Sequence, residues 1–227
     1  IISMSKSKLY NLGVICGRFG HEHLGHIILF DNCISLCKKT LILVGSAQES
    51  KTLRNPFKVE TRIKLIKKTY PNIPEENLII KGINDLTNEF DVTHNWGKYV
   101  KSEVERHMGQ FADLIVYGND ELRNHWFEQK DLENTSLLVI PRTAFPISAT
   151  VLRGLLTIDD KQTWMKYTSP LIHDMYDELR NELMLVPIYK SIYDKISKTE
   201  ISLENFMFEY KILETKDKER KMKFCKN

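Results

Sequence analysis

The stretch YNLGVICGRFGHEHLGH, residues Tyr10–His26, joins a short apolar run to a turn rich in glycine and histidine. The run Tyr10–Cys16 has the length and apolarity of a strand buried in a parallel sheet. From Leu24 the apolar positions Ile27, Ile28, Ile34 and Cys37 recur at helical spacing, which predicts a helix to about Lys39. The segment Gly17–His26 therefore follows a strand and opens a helix. It holds three of the seven histidines, His21, His23 and His26. So much imidazole admits a metal site, a general-base pair or an anion cradle.

The metal reading fails on spacing. An H-E-x-x-H helix needs its histidines four apart, whereas His21 and His26 are five apart and Gly25 interrupts the run. Position favours the anion cradle, because the backbone N–H groups and dipole at a helix start attract negative charge. His23 and His26, spaced i and i+3, can share one face there. Gly17 permits close backbone approach and Arg18 offers a planar fork for phosphate. A Walker loop is absent, since Gly97-Lys98 is followed by Tyr99 and has no glycine five residues upstream.

Outward from this turn, strands are expected at Thr40–Ser46, Asn77–Ile83, Asp113–Asp120 and Ser136–Ile140. They alternate with helices at Lys58–Thr69 and His94–Met108. Such alternation predicts an α/β fold with a doubly wound parallel sheet and ligands at the strand carboxyl ends. The composition then shifts: all ten glycines lie at or before Gly154. The remainder reads as helices, at Asp174–Met184 and Ile188–Ser197, ending in a solvated charged tail over Lys216–Asn227. The organisation expected is an N-terminal tail over 1–9, a main domain over 10–165 and a helical C-terminal extension over 166–227. Met4 is read as the natural start, with Ile1–Ser3 ahead of it as a remnant.

Bulk properties bound the function. A chain of 227 residues with 42% hydrophobic and 28% charged content is that of a soluble globular protein. A formal charge of +3 suits a small anionic substrate and is too weak to argue for nucleic acid. No apolar run reaches the length of a membrane span. Cys16, Cys33, Cys37 and Cys225 show neither metal-ligand nor disulfide-framework spacing. Cys33 and Cys37, a helical turn apart, are expected to pack as small apolar groups. The expected compartment is the cytoplasm.

Three segments carry a family resemblance. G-R-F-x-x-x-H-x-G-H over Gly17–His26 resembles the signature of nucleotidyltransferases related to class I tRNA synthetases. GSAQESKTLRNPFKVETR, Gly45–Arg62, is similar to the corresponding stretch of archaeal-type nicotinamide mononucleotide (NMN) adenylyltransferases, including those fused to Nudix domains. ISATVLR, Ile147–Arg153, resembles their second ATP motif. With Trp96 and Trp164 the likeness covers about Tyr10–Pro170. The motif SMSKS at Ser3–Ser7 imitates a synthetase loop but precedes the histidine signature instead of following it, so it is read as a mere tail.

The resemblance implies a Rossmann-like nucleotidyltransferase fold and transfer of AMP from ATP to NMN, giving NAD and pyrophosphate. His23, His26, Arg18 and Arg153 would be catalytic. Gly17, Phe19, Gly25, Gly118, Asn119, Ser148 and Thr150 would bind ATP. Arg54, Asp85, Trp96 and Ser46 would bind NMN, Arg54 at its phosphate and Trp96 against its ring. Read without the resemblance, Arg54 is a solvated loop charge and Trp96 a core aromatic. Mg²⁺ would arrive with ATP, and no protein metal cage is expected. The partners implied are ATP and NMN, with no membrane or nucleic acid, in a homo-oligomer. Rival readings are transfer to another phosphate acceptor (nicotinate mononucleotide, phosphopantetheine or FMN) and a non-catalytic NMN/ATP sensor. The chain departs from the family at Gly20-His21-Glu22, where Q-P-F is usual, leaving His21 as a phosphate contact or a filler, with filler favoured. The stretch between Asp85 and Trp96 is also longer than usual.

Overall fold

The computed structural model describes residues 7–86, 93–141, 143 and 146–224. Along the chain run β1 (Tyr10–Gly17), α1 (Leu24–Leu36), β2 (Cys37–Val44), α2 (Val59–Thr69) and β3 (Leu78–Gly82). Next come α3 (Asn95–Met108), β4 (Leu114–Gly118), β5 (Ser136–Ile140), α4 (Ala149–Thr157) and α5 (Lys161–Lys166). The chain continues with α6 (Tyr176–Met184), α7 (Pro187–Ile196) and α8 (Leu203–Phe224). Two compact units share these elements. The first takes Ile1–Phe19, Gly25–Gln48 and Tyr70–Pro146; the second takes Gly20–Leu24, Glu49–Thr69 and Ile147–Asn227.

The first unit is built on a five-stranded sheet in the order β3-β2-β1-β4-β5, every pair parallel. Leu12 and Val14 of β1 and Leu41 and Leu43 of β2 face one way and pack with Val100 and Val104 of α3. The alternate residues face α1. A Cβ at Gly13 would lie 2.3 Å from the Cys33 sulfur and 2.5 Å from that of Cys37, so only glycine lets α1 seat against β1. Cys33 and Cys37 are both buried, the Thr40 hydroxyl donates to the Cys33 sulfur, and the neighbouring Cys37 thiol together with burial keeps Cys33 protonated. They are free thiols that pack as small groups. On the α3 side a Cβ at Gly97 would come within 2.0 Å of the Trp126 carbonyl oxygen, so the residue after Trp96 must lack a side chain.

The second unit is helical. Trp164, Tyr176, Leu179, Leu183, Tyr189, Ile192 and Phe206 form its buried interior. Gly154 of α4 lies so close to Phe206 of α8 that a Cβ there would meet the ring at 2.6 Å. Outside, Lys64 and Lys68 of α2 pair with Glu178 and Asp174. These pairs are exposed and contribute little to stability. No helix among the described residues is long and apolar enough to cross a membrane.

The doubly wound sheet and the helical C-terminal part agree with the reading of the sequence, but three boundaries move. Helix α1 stops at Leu36 and β2 starts at Cys37, three residues before the expected Thr40, because Cys37 pairs with Tyr10 at the first rung of the β1–β2 ladder. Pairing overrides helical spacing here. The segment expected as one helix from Asp174 is a 3₁₀ turn over Pro170–Met175 followed by α6, with Pro170 starting the turn. The charged tail from Lys216 is largely exposed, as expected, but it continues α8 to Phe224. Asp217 pairs with Arg220 and Lys221 one turn on, and Phe206 and Tyr210 anchor the helix upstream. Most of the Ser3–Ser7 motif, residues 87–92 of the lengthened segment, and Cys225 lie outside the described residues.

Candidate functional site

In the first unit the chain runs β1, β2, β3 to one side and then returns to place β4 on the other side of β1. In such sheets the crevice at the carboxyl ends of the two strands where the order reverses is where ligands bind. Gly17 ends β1 at that point and Gly118 ends β4. The turn after β1 is tight: Phe19 has φ 45° and folds its ring back over Gly17, where a Cβ would lie 2.8 Å from it. Phe19 then meets His26 edge-on at 5.0 Å, and His26 stacks on Phe30 at 6.3 Å. Ser46, just after β2, has φ 48°. A left-handed conformation costs a non-glycine residue of order 1 kcal/mol or more, and such strain concentrates at functional sites. The Gly45 amide donates to the Gly17 carbonyl at 2.8 Å, and Gly45 lies beside the Arg18 stem. Gly17, Arg18, Phe19, His26 and Ser46 are therefore drawn to the carboxyl ends of β1 and β2, and Gly25 opens the first turn of α1.

Asp85, beyond β3, is exposed and exchanges two hydrogen bonds with Gln48: its carboxylate accepts from the amide nitrogen at 3.2 Å, and its backbone N–H donates to the amide oxygen at 3.1 Å. Trp96 is half-buried on α3 and lies edge-on to Trp126 at 5.8 Å. It therefore packs against the core cluster around α3 while staying partly exposed. Asn119 is exposed, its backbone N–H donating to the Ile140 carbonyl. Arg123 had no motif to announce it. Its Nε donates to the Cys16 carbonyl at 3.3 Å and its guanidinium lies 4.5 Å from the centre of the Trp126 ring. This sets a cation next to the last residues of β1. Burial pushes the Cys16 thiol up to about 11, which removes it as a nucleophile at neutral pH.

The second unit holds His21, His23, Arg54, Ser148, Thr150 and Arg153. Ser148 caps α4, its hydroxyl oxygen accepting from the Val151 N–H at 3.3 Å. Arg153, one turn on, is 3% exposed. Its Nε donates to the Tyr189 hydroxyl at 2.7 Å, and its Nη2 donates to Tyr210 at 3.1 Å and Thr150 at 3.2 Å. A Cβ at Gly20 would lie 3.0 Å from Arg153 Nη1 and 3.3 Å from the Arg54 carbonyl oxygen. Gly20 thus lies beside both arginine segments. Arg54 is half-buried and His23 is buried.

His21 is a core group. The Trp164 indole N–H donates to its Nε2 at 2.9 Å, so its Nδ1 carries the proton and donates to the Glu22 carbonyl at 2.7 Å. Both nitrogens are used within the protein, which goes further than the filler role expected for it. Glu22 is also buried and accepts from the Thr69 hydroxyl. Burial, reinforced by the Arg153 charge, holds the His21 pKa down to about 4 from 6.5. Between pH 6.5 and about 4 the unfolded chain takes up a proton that the folded chain refuses. The stability this group confers is complete above pH 6.5 and is lost as pH falls toward 4. His21→Gln is expected to flatten that stretch of the stability–pH profile measured by urea unfolding. An unchanged slope would place the acid sensitivity elsewhere.

The five-stranded parallel sheet, with strained Phe19 and Ser46 at its carboxyl edge, makes this an α/β protein of the doubly wound class. The chain belongs to the cytidylyltransferase-like family, whose model matches residues 14–202. It is 24% identical over 195 residues to a nicotinamide-nucleotide adenylyltransferase of Sulfurisphaera tokodaii, covering 79% of this chain and 98% of that protein. It is 28% identical over 185 residues to the enzyme of the same name from Methanococcus aeolicus, covering 81% and 98%. Among solved structures, a bifunctional NMN adenylyltransferase/ADP ribose pyrophosphatase from Francisella tularensis, complexed with AMP and a Mn ion, aligns with a TM-score of 0.62 at 20% identity. That alignment covers 91% of this chain and 56% of the Francisella chain, so this chain spans little more than half of it, and the likeness is one of fold.

Proposed function

We propose that the chain transfers AMP from ATP to NMN, producing NAD and pyrophosphate. The observation that carries this reading is the turn Gly17–Phe19, strained at Phe19 and set at the strand-order reversal, because it presents the nucleotidyltransferase signature where this fold binds nucleotides. The names of the archaeal relatives support the choice of acceptor.

An oxygen of the NMN phosphate attacks the α-phosphorus of ATP. The bond from that phosphorus to the α,β-bridging oxygen breaks, and its electron pair leaves with pyrophosphate. A phosphate monoester is largely dianionic at neutral pH, its second pKa being about 6, so no general base is required. The protein's task is to align two anions and stabilise the charge that develops. His23 and His26 donate to ATP phosphates, Arg18 bridges phosphates near the reacting centre, and Arg153 holds the β- and γ-phosphates. Ser148 and Thr150 add hydroxyls at the start of α4, while Gly17, Phe19, Gly25, Gly118 and Asn119 form the remaining nucleotide contacts. Arg54 takes the NMN phosphate, and Ser46 and Asp85 take other polar groups of NMN. Trp96 offers its ring face to the cationic pyridinium. Mg²⁺ enters as the ATP complex. The enzyme is proposed to act in the cytoplasm, as a homo-oligomer, on small nucleotides and not on nucleic acid, with residues 10–165 as its catalytic domain and 166–227 as a helical extension.

The decisive experiment is a coupled assay for dinucleotide formation from ATP with NMN, run beside nicotinate mononucleotide. Turnover with NMN is expected. Tight NMN binding without turnover of either acceptor would favour a sensor, and turnover with the acid form alone would change the substrate. Trp96→Ala is expected to raise the KM for NMN about tenfold or more while moving that for ATP less than about twofold, as loss of one stacked cation–π contact implies. The opposite pattern would remove Trp96 from the acceptor site.

A further inference from the structure

We propose that Tyr189 and Tyr210, on the C-terminal helices α7 and α8, are positioning residues for the transfer reaction. Tyr189 does so for two arginine segments at once. The inference rests on the functional reading above and concerns residues outside every motif that suggested it.

A guanidinium has five N–H donors in a rigid fork. Three of Arg153's are committed: Nε to Tyr189, and Nη2 to Tyr210 and Thr150. Its Nη1 donates to no protein group among the described residues. Gly20 beside it has no side chain, and a Cβ there would crowd Nη1 at 3.0 Å. The fork is thus clamped on one edge and open on the other. An arginine oriented in advance loses little rotamer entropy when it meets a phosphate.

The Tyr189 hydroxyl also has a second bond. While it accepts from Arg153 Nε, it donates its proton to the Leu53 carbonyl at 2.6 Å. That carbonyl belongs to the peptide unit whose nitrogen is that of Arg54, the residue assigned to the acceptor phosphate. One buried hydroxyl therefore links the arginine for the ATP phosphates to the backbone that carries the arginine for NMN. Among the described residues Tyr210 has no such second link: its hydroxyl accepts from Nη2, and its ring lies 5.9 Å from the guanidinium. Helices α7 and α8 of the extension would then help to position a residue of the catalytic domain.

The two tyrosines predict different signatures, which a merely structural role would not produce. Tyr189→Phe is expected to lower kcat about tenfold and to raise the KM for NMN about fivefold, since it removes a bond to a charged group and frees the Leu53–Arg54 peptide. Tyr210→Phe is expected to lower kcat by a similar factor and leave the KM for NMN within twofold. Thermal unfolding of each variant, run alongside, shows whether the assayed protein is folded. Equal effects of both variants on the KM for NMN, or kcat within twofold of wild type in both, would overturn the proposal. If Tyr189→Phe does not fold, Tyr210→Phe decides alone, and a raised KM for NMN sinks the division of labour. Failure of the wild type to turn over would instead refute the functional reading. Equilibrium binding of ATP and of NMN would then read the same split in Kd.

Discussion

Arg153→Lys is expected to lower turnover by about 100- to 1000-fold, the size of loss seen when one donor to transition-state charge is removed. Lysine keeps the charge but carries it as a single point on a flexible stem. It cannot donate to Tyr189, Tyr210 and Thr150 together and still reach a phosphate, whereas the guanidinium divides those tasks between its two edges. Stability is expected to suffer too, because two buried tyrosine hydroxyls lose a charged donor at about 1–3 kcal/mol. For a chain of this size each kcal/mol lowers the Tm by about 2–4 °C. Steady-state kinetics and thermal unfolding of one preparation separate the two losses. A fall in turnover of less than about fivefold would mean that Arg153 serves the fold and not the reaction.

His26→Ala is expected to cut turnover by about 100-fold or more with a far smaller effect on the fold. The histidine is half-buried, and its contacts include the rings of Phe19 and Phe30. Its truncation removes edge-on and stacking contacts worth about 0.5–1.5 kcal/mol each. A loss of folded protein that matches the loss of turnover would make His26 a packing group. His21 is the contrast within the same ten residues: it is fully buried and bonded at both nitrogens, so its replacement should act first on stability.

What could be read without coordinates was whatever the chain encodes locally. The apolar runs at Tyr10–Cys16 and Ser136–Ile140, the helical spacing after Leu24, and glycine at 17 with arginine at 18 are short-range patterns. Each is imposed by a backbone geometry that repeats every two or 3.6 residues. They sufficed for the alternating α/β order and the turn at the end of β1, whereas Ile147–Arg153 was marked only by its resemblance to a family motif.

What could not be read depends on partners far apart in the chain. Cys37 leaves the helical pattern because Tyr10 pairs with it. His21 becomes a buried acceptor because Trp164, 143 residues away, donates to it. Arg123 reaches the end of β1 from a segment with no motif. Tyr189 and Tyr210 lie in a glycine-free region whose sequence announces only helix, yet burial gives their hydroxyls one charged group to bind. Local pattern selects the elements, and the cost of leaving a buried polar atom unpaired selects which distant side chains must meet. The histidine signature was legible in the chain; the two tyrosines that orient Arg153 became visible only once it was folded.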